Sequence, residues 1–224
     1  MHQQRIALSA LLREAFERLR ERWRGTLVAT AIACALGLAI SYAPMRPLVA
    51  ESAAQLIALP LAASFIYLWV TDLPDGSPRP LKNVLERLLE RSWSVLLIDL
   101  VLSLIQALTT APSMILWDLL LVPLLAATIY ADVAATLDDE IPASALLPHA
   151  VARTFSLAMQ PRNFGRMCLL LAAQFGLQAI LLEVAVLLPH GTRAAGTLVL
   201  AVIAQVALAA VTVRTFVEAS SSHP

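Results

Sequence analysis

Six apolar runs of about twenty residues dominate this chain, at roughly 26–43, 49–70, 93–111, 114–132, 167–188 and 195–216. A bilayer core is roughly 30 Å thick, and about 20 apolar residues cross it as a helix. The third and fourth runs are separated only by Pro112 and Ser113. Without that break they would form one stretch too long for a single crossing. Composition agrees: 59% of the 224 residues are hydrophobic and 14% are charged, against about 25% charged in a soluble domain. Mean hydropathy is +0.75. These values exclude a disordered chain and point to an all-α, polytopic membrane bundle over residues 1–224, a single integral membrane domain.

The arginines give an orientation. The N-terminal segment holds Arg5, Arg13, Arg18, Arg20, Arg22 and Arg24. The loop after the second run holds Arg79, Lys82, Arg87 and Arg91; the loop after the fourth holds Arg153, Arg162 and Arg166; Arg214 is near the C-terminus. The three intervening loops carry only Arg46 and Arg193, a split of fourteen to two. By the positive-inside rule this predicts six spans with both termini cytoplasmic, in a bacterial inner membrane. Residues 1–25 mix both signs of charge and do not read as a cleavable signal peptide, so the first run is expected to stay as a span.

The basic segments are amphipathic. Leu8, Leu12, Phe16, Leu19 and Trp23 recur at helical spacing in the first (about 5–24), where Glu14 and Arg18 stand four apart. Leu81, Leu85, Leu88 and Trp93 do so in the second (about 80–92), and Leu147, Val151, Phe155 and Met159 in the third (about 143–159). Helices of this kind lie at the headgroup layer. Each leads into a span through a basic and aromatic junction, with Trp23, Arg24, Trp93, Phe164 and Arg166 as interfacial anchors. The chain thus reads as three copies of one unit: amphipathic helix, span out, span back. Residues 60–67 (PLAASFIY) match residues 123–130 (PLLAATIY) at five of eight positions, while the third copy offers only Ala209, Ala210 and Thr212. Chance identity in an Ala/Leu-rich chain is the competing explanation. Pro60 and Pro123 should kink their helices, as packing shape or as hinges.

Ionisable residues within spans are costly, about 2.5–3.5 kcal/mol each on insertion scales, and are functional candidates. Glu51, Asp118 and Glu183 fall at a similar depth near the outer ends of three different hairpins. Together they form a candidate outer-side polar site for a cation, a lipid amine or protons, with Gln55 and Gln178 slightly deeper. Alternatively they snorkel to the surface and pair with Arg46 and Arg193. Asp99 is expected to cap a helix contact or meet an arginine at the inner surface. Ala29, Ala33 and Gly37 permit close helix approach, within the bundle or against a partner subunit.

No HExxH, P-loop or GxSxG pattern occurs. His2, His149, His190 and His223 are scattered, and Cys34 and Cys168 read as buried apolar residues. No metal, no cofactor and no nucleic-acid partner is expected. The partners expected are membrane lipids, with a protein partner or homo-oligomer open.

The third unit carries a resemblance. Ala143, Leu146 and Leu147, the run from Ala150 to Leu157, and Asn163-Phe164-Gly165-Arg166 before an apolar span resemble the "A-x-R-x-S-x-x-L … N-F-x-R" segment of bacterial six-span proteins. These include the YciC-like family and the membrane domain of some glycerophosphodiester phosphodiesterases. Thr154 and Pro112-Ser113 depart from that pattern. The resemblance implies an inner-membrane protein and supplies no catalytic residue, because phosphodiesterase chemistry belongs to a separate soluble domain. The expectation is a non-enzymatic protein acting through lipid or protein contacts, in envelope homeostasis or as a membrane subunit. The alternative is a small-solute or ion transporter or permease subunit using the outer carboxylates.

Overall fold

The computed structural model of the chain describes residues 8–44, 46–73, 76–109, 125–126, 129–138, 145–189 and 192–221. Eight helices account for nearly all of them: α1 (Leu8–Glu21), α2 (Trp23–Ser41), α3 (Pro47–Val70), α4 (Leu81–Thr109), α5 (Ala131–Leu137), α6 (Leu146–Ala158), α7 (Pro161–Leu187) and α8 (Arg193–Ser221). Among the described residues, four stretches are long and apolar enough to cross a membrane: Trp23–Ser41, Ser52–Val70, Pro161–Leu187 and Arg193–Ser221. The third expected span coincides with the apolar half of α4 up to Thr109. Most of the fourth, with Pro112, Ser113, Asp118 and Pro123, lies outside the described residues.

Two boundaries differ from expectation. The second amphipathic segment and the third span are one continuous helix, α4, because neither Gly nor Pro interrupts residues 81–109. The other two junctions do break: at Arg22, which leaves helical geometry at φ −107°, ψ 28°, and at Gln160, extended before Pro161. The fourth span was expected to run to residue 132. Instead the chain turns at Ile129 and Tyr130, and a separate short helix starts at Ala131.

α3 and α8 are the centre of the bundle, packing on each other; α2 lies against both, α4 against α3, and α7 against α8. Interior positions are small. Ala58, Ala62, Ala63, Ala209 and Ala210 are nearly inaccessible, while Leu27, Ile32, Leu104, Ile180, Leu182 and Ile203 point outward. Small residues let backbones approach where no water drives association, and large apolar ones suit a lipid surround. The Ala29, Ala33 and Gly37 stripe is buried in this way. A Cβ on Gly37 would come within 2.7 Å of Leu198 and 3.2 Å of Ala58, so the stripe seats α2 on α3 and α8.

The amphipathic segments follow the same inside-out rule. In α1, Leu11 and Ala15 are buried while Leu12 and Phe16, and Trp23 at the start of α2, are exposed. In α4, Val84 is buried and Leu85 exposed; in α6, Leu146, Ala150 and Thr154 are buried, and Met159 just after it is exposed. At Leu12, Phe16 and Leu85 the residue before the expected apolar position faces protein and the expected one faces out, whereas Leu19, Leu88 and Leu147 pack against the core.

Ion pairs hold one end of the bundle together. Asp72, just beyond α3, receives Arg18 of α1 at 2.6 Å and Arg22 at the α1–α2 junction. Asp138 after α5 takes Arg153 of α6 at 2.6 Å and His149 at 3.1 Å, and its carbonyl accepts from Arg87 of α4 at 2.8 Å. Glu218 of α8 pairs with Arg166 of α7 and, at 3.2 Å, with Arg162. Glu14 reaches Arg214 of α8 rather than Arg18; the within-helix pair on α1 is Arg13–Glu17 at 2.8 Å. Arg166 is therefore an internal ion-pair partner, not an exposed anchor. Phe164 packs against the core, and Trp23 and Trp93 are exposed. Arg24 stacks over Trp23 at 5.6 Å.

Arg22 also donates to the Trp69 carbonyl, and the Trp69 indole donates back to the Arg22 carbonyl at 3.1 Å. Trp69 then lies directly on Gly25, where a Cβ would overlap the indole ring. Gly25→Ala should lower stability in detergent by roughly 1–3 kcal/mol through overpacking. The penalty should shrink in a Trp69→Leu background; an equal penalty in both backgrounds would contradict this contact.

Burial opposes ionisation of Asp72, but hydrogen bonds and charge from Arg22 and Arg18 outweigh it and hold its carboxyl below the ordinary value. A carboxyl depressed by folding stabilises the fold above its unfolded pKa, near 3.9, and that contribution is lost as pH falls through the folded value. Denaturation midpoints from pH 6 to about pH 3 should therefore fall less steeply for Asp72→Asn than for wild type. Parallel curves would refute the linkage.

Candidate functional site

A cavity of about 390 Å³ lies between α3, α4, α5, α7 and α8. Its lining is unusual for apolar helices. α3 contributes Ser52, Gln55 and Tyr67; α4 contributes Asp99 and Ser103; α5 contributes Asp132. Gln174 and Gln178 come from α7, and Gln205 and Thr212 from α8. Leucines at 56, 59, 125, 171 and 208 complete the wall. Ser52 and Tyr67 are fifteen residues apart on one helix, so the cavity extends about 22 Å along α3. Ser52, Gln55 and Gln178, away from the ion-paired end, are exposed; Tyr67, toward that end, is 2% exposed.

The enclosed end is built by α5 and the turn just before it. Ile129 and Tyr130 turn, and the Tyr130 ring meets Phe216 of α8 edge-on at 5.5 Å. α5 then buries Ala131 and residues 133–136 against the bundle. That seating leaves Asp132 toward the cavity. One oxygen accepts the Val133 N–H at 2.9 Å, and the other accepts the Tyr67 hydroxyl at 2.6 Å. Asp99 lies within electrostatic range of both Tyr67 and Asp132. It is on the cavity wall, where of the two expected placements, a helix contact or an arginine, no arginine meets it among the described residues. Among these residues neither carboxylate has an ion-pair partner, and no Lys, Arg or His lines the cavity.

Two half-buried carboxylates with no counter-ion among the described residues are costly in a low-dielectric surround. Water or a ligand in the cavity offsets that cost. The four glutamine amides each donate and accept, so they can hold hydroxyl, amide or water groups in several orientations. Among the described residues no group of three or more His, Cys, Asp or Glu is placed to hold a metal ion.

The three carboxylates singled out from sequence have different placements. Glu183 is exposed on α7 and does not line the cavity. Glu51 is placed only by its position in α3, and Asp118 lies outside the described residues. Arg193 donates to the carbonyls of Val186 and Leu188 at 3.2 and 3.4 Å, closing the α7–α8 turn. Pro60 is buried in α3 and lines the cavity. Cys34 and Cys168 are half-buried rather than fully buried.

Gln55, Gln178 and Asp99 were legible as polar residues in apolar runs. Asp132 was hidden as the last residue of an expected span, and Tyr67 as part of a repeat. Their link crosses 65 residues, which no local pattern encodes. The segment carrying the family resemblance forms a packing corner: Ala150, Thr154, Leu157, Asn163 and Arg166 are all buried where α6 turns into α7. The chain matches no protein-family model, no curated protein and no solved structure.

Proposed function

We propose that this chain is a non-enzymatic, six-span bacterial inner-membrane protein with both termini cytoplasmic, which binds a small polar molecule in its internal cavity as a transporter, a permease subunit or a solute-binding membrane protein. The observation that carries this reading is the convergence of ten polar side chains from five helices on one cavity. Polar groups scattered by chance over apolar helices would not share a wall, and each is costly to bury unless something polar meets it. Ligand pockets fall in the range of about 300–1,000 Å³, which includes this one. The site of this reading is Asp99, Asp132 and Tyr67 with the glutamines, in place of the outer carboxylates.

The topology rests on the arginine split and on the ion-paired end. α2, α3, α7 and α8 alternate in direction, with Arg22, Asp72, Arg166, Arg214 and Glu218 gathered at one end. That end is the cytoplasmic one in our reading. The three hairpin units and the kinship with YciC-like proteins belong to the same proposal. A role through lipid contacts is favoured by a separate feature, the exposed Leu12 and Phe16 of α1 with Trp23 at the start of α2, which suit the headgroup layer.

The test is native mass spectrometry of protein extracted with its surrounding membrane, wild type beside Ala209→Trp. Ala209 lines the cavity and is 1% exposed, so the indole would occupy the space. The expected result is a bound small molecule in wild type that is absent from the folded variant. No small molecule in either, or the same one in both, would contradict the proposal.

A further inference from the structure

The charge of the cavity selects among ligands. Among the described residues its lining includes two carboxylates, Asp99 and Asp132, and no Lys, Arg or His. The two carboxylates approach closely enough to interact, and no ion pair compensates either among the described residues. Asp132 spends one oxygen on the Val133 N–H and the other on Tyr67, yet each carboxylate oxygen can accept a further bond. Asp99 lines the cavity wall, and among the described residues no side chain donates a hydrogen bond to it.

We infer that the cavity takes a small organic cation, an ammonium compound whose positive end lies between Asp99 and Asp132 and whose hydroxyl or amide groups meet Gln174, Gln178 and Gln205. The inference rests on the proposed reading of the cavity as a binding site and specifies its ligand class. Size and chemistry exclude the nearest rivals. A bare inorganic cation would leave most of about 390 Å³ unfilled, and no cluster of three ligating side chains surrounds a point. An anion would face two carboxylates with no cation to pair with. An ammonium group supplies three donors to carboxylate oxygens that can each accept a further bond, and the amides along α7 and α8 can serve a polar remainder. Low-dielectric walls focus the field of the carboxylates, which raises the local concentration of cations about 10–1,000-fold.

The experiment reads that field directly. Cys34 and Cys168 are replaced by Ala, and Ser103, one helical turn from Asp99 on the cavity wall, by Cys. The protein in lipid nanodiscs is treated with methanethiosulfonates of three charges: trimethylammonioethyl, hydroxyethyl and sulfonatoethyl. Each rate is divided by that of the same reagent with free 2-mercaptoethanol, and the cation-to-anion ratio cancels the thiol's own reactivity. We expect all three reagents to react and the normalised ratio to favour the cation by about tenfold or more. The ratio should fall toward one in Asp99→Asn and, independently, in Asp132→Asn, so that a folding failure of one variant leaves the other as the test. A ratio near one in the Ser103→Cys protein itself, or a preference for the anion, overturns the cation inference while leaving an accessible cavity. Reaction with none of the reagents, while Ser52→Cys at the exposed end reacts, overturns the binding-site reading as well.

Discussion

Everything in this bundle follows from one constraint: polar groups on apolar helices must find each other, because the surround cannot satisfy them. The backbone meets the constraint by being helical almost throughout. The side chains meet it in two ways. At one end, acids and arginines pair in small groups around Asp72, Asp138 and Glu218, each collecting partners from elements distant in sequence. Midway along the helices, pairing with arginine is not used. Serines, glutamines, a tyrosine and two aspartates share a cavity instead. The contrast between an ion-paired end and a cavity whose carboxylates lack an ion pair among the described residues separates the structural charges from the functional candidates.

The paired end also explains how the cavity is held. Asp72 ties the α1–α2 junction to the end of α3, and the reciprocal Arg22–Trp69 hydrogen bonds lock the same corner. Glu14 and Glu218 tie α1 and α7 to α8. Asp138 anchors the chain just after α5, the helix that presents Asp132. Four of the five elements around the cavity, α3, α5, α7 and α8, are thus fixed by ion pairs within a few residues of their cavity-lining positions. A site that must hold charge in place needs such rigid support.

The fold was largely legible because its signals are local. Apolar length gave the helices at Trp23–Ser41, Ser52–Val70, Pro161–Leu187 and Arg193–Ser221, and three- and four-residue spacing gave α1, α6 and the first part of α4. The spacing marked which residues share a helix face, but not which residues pack on the bundle. In α1 the buried residues are Leu11 and Ala15, one position before the conspicuous Leu12 and Phe16, since lipid accepts bulk and helix contacts favour small side chains. The site was legible only in part. Asp99, Gln55 and Gln178 stand out as polar residues in apolar runs, but which of them share a cavity depends on helix rotation and on the turn at Ile129 and Tyr130. Equal depth along three spans, the logic behind Glu51, Asp118 and Glu183, does not imply convergence: Glu183 lies on the exposed face of α7, away from the cavity.

The central claim is that water, not lipid or packed side chain, fills the space between these helices. Gln205 and Ile203 of α8 test it as a pair. They differ by about 3 Å in height and about 200° around the helix, and Gln205 lines the cavity while Ile203 is 52% exposed on the outside. Nitroxide labels at each position in turn, in protein reconstituted into bilayers, report collisions with water-soluble nickel chelate and with lipid-soluble oxygen. The account predicts that nickel relaxes the label at residue 205 more strongly than oxygen does, and that the order reverses at residue 203. Oxygen dominating at both positions, or a label at 205 shielded from both reagents, would contradict it.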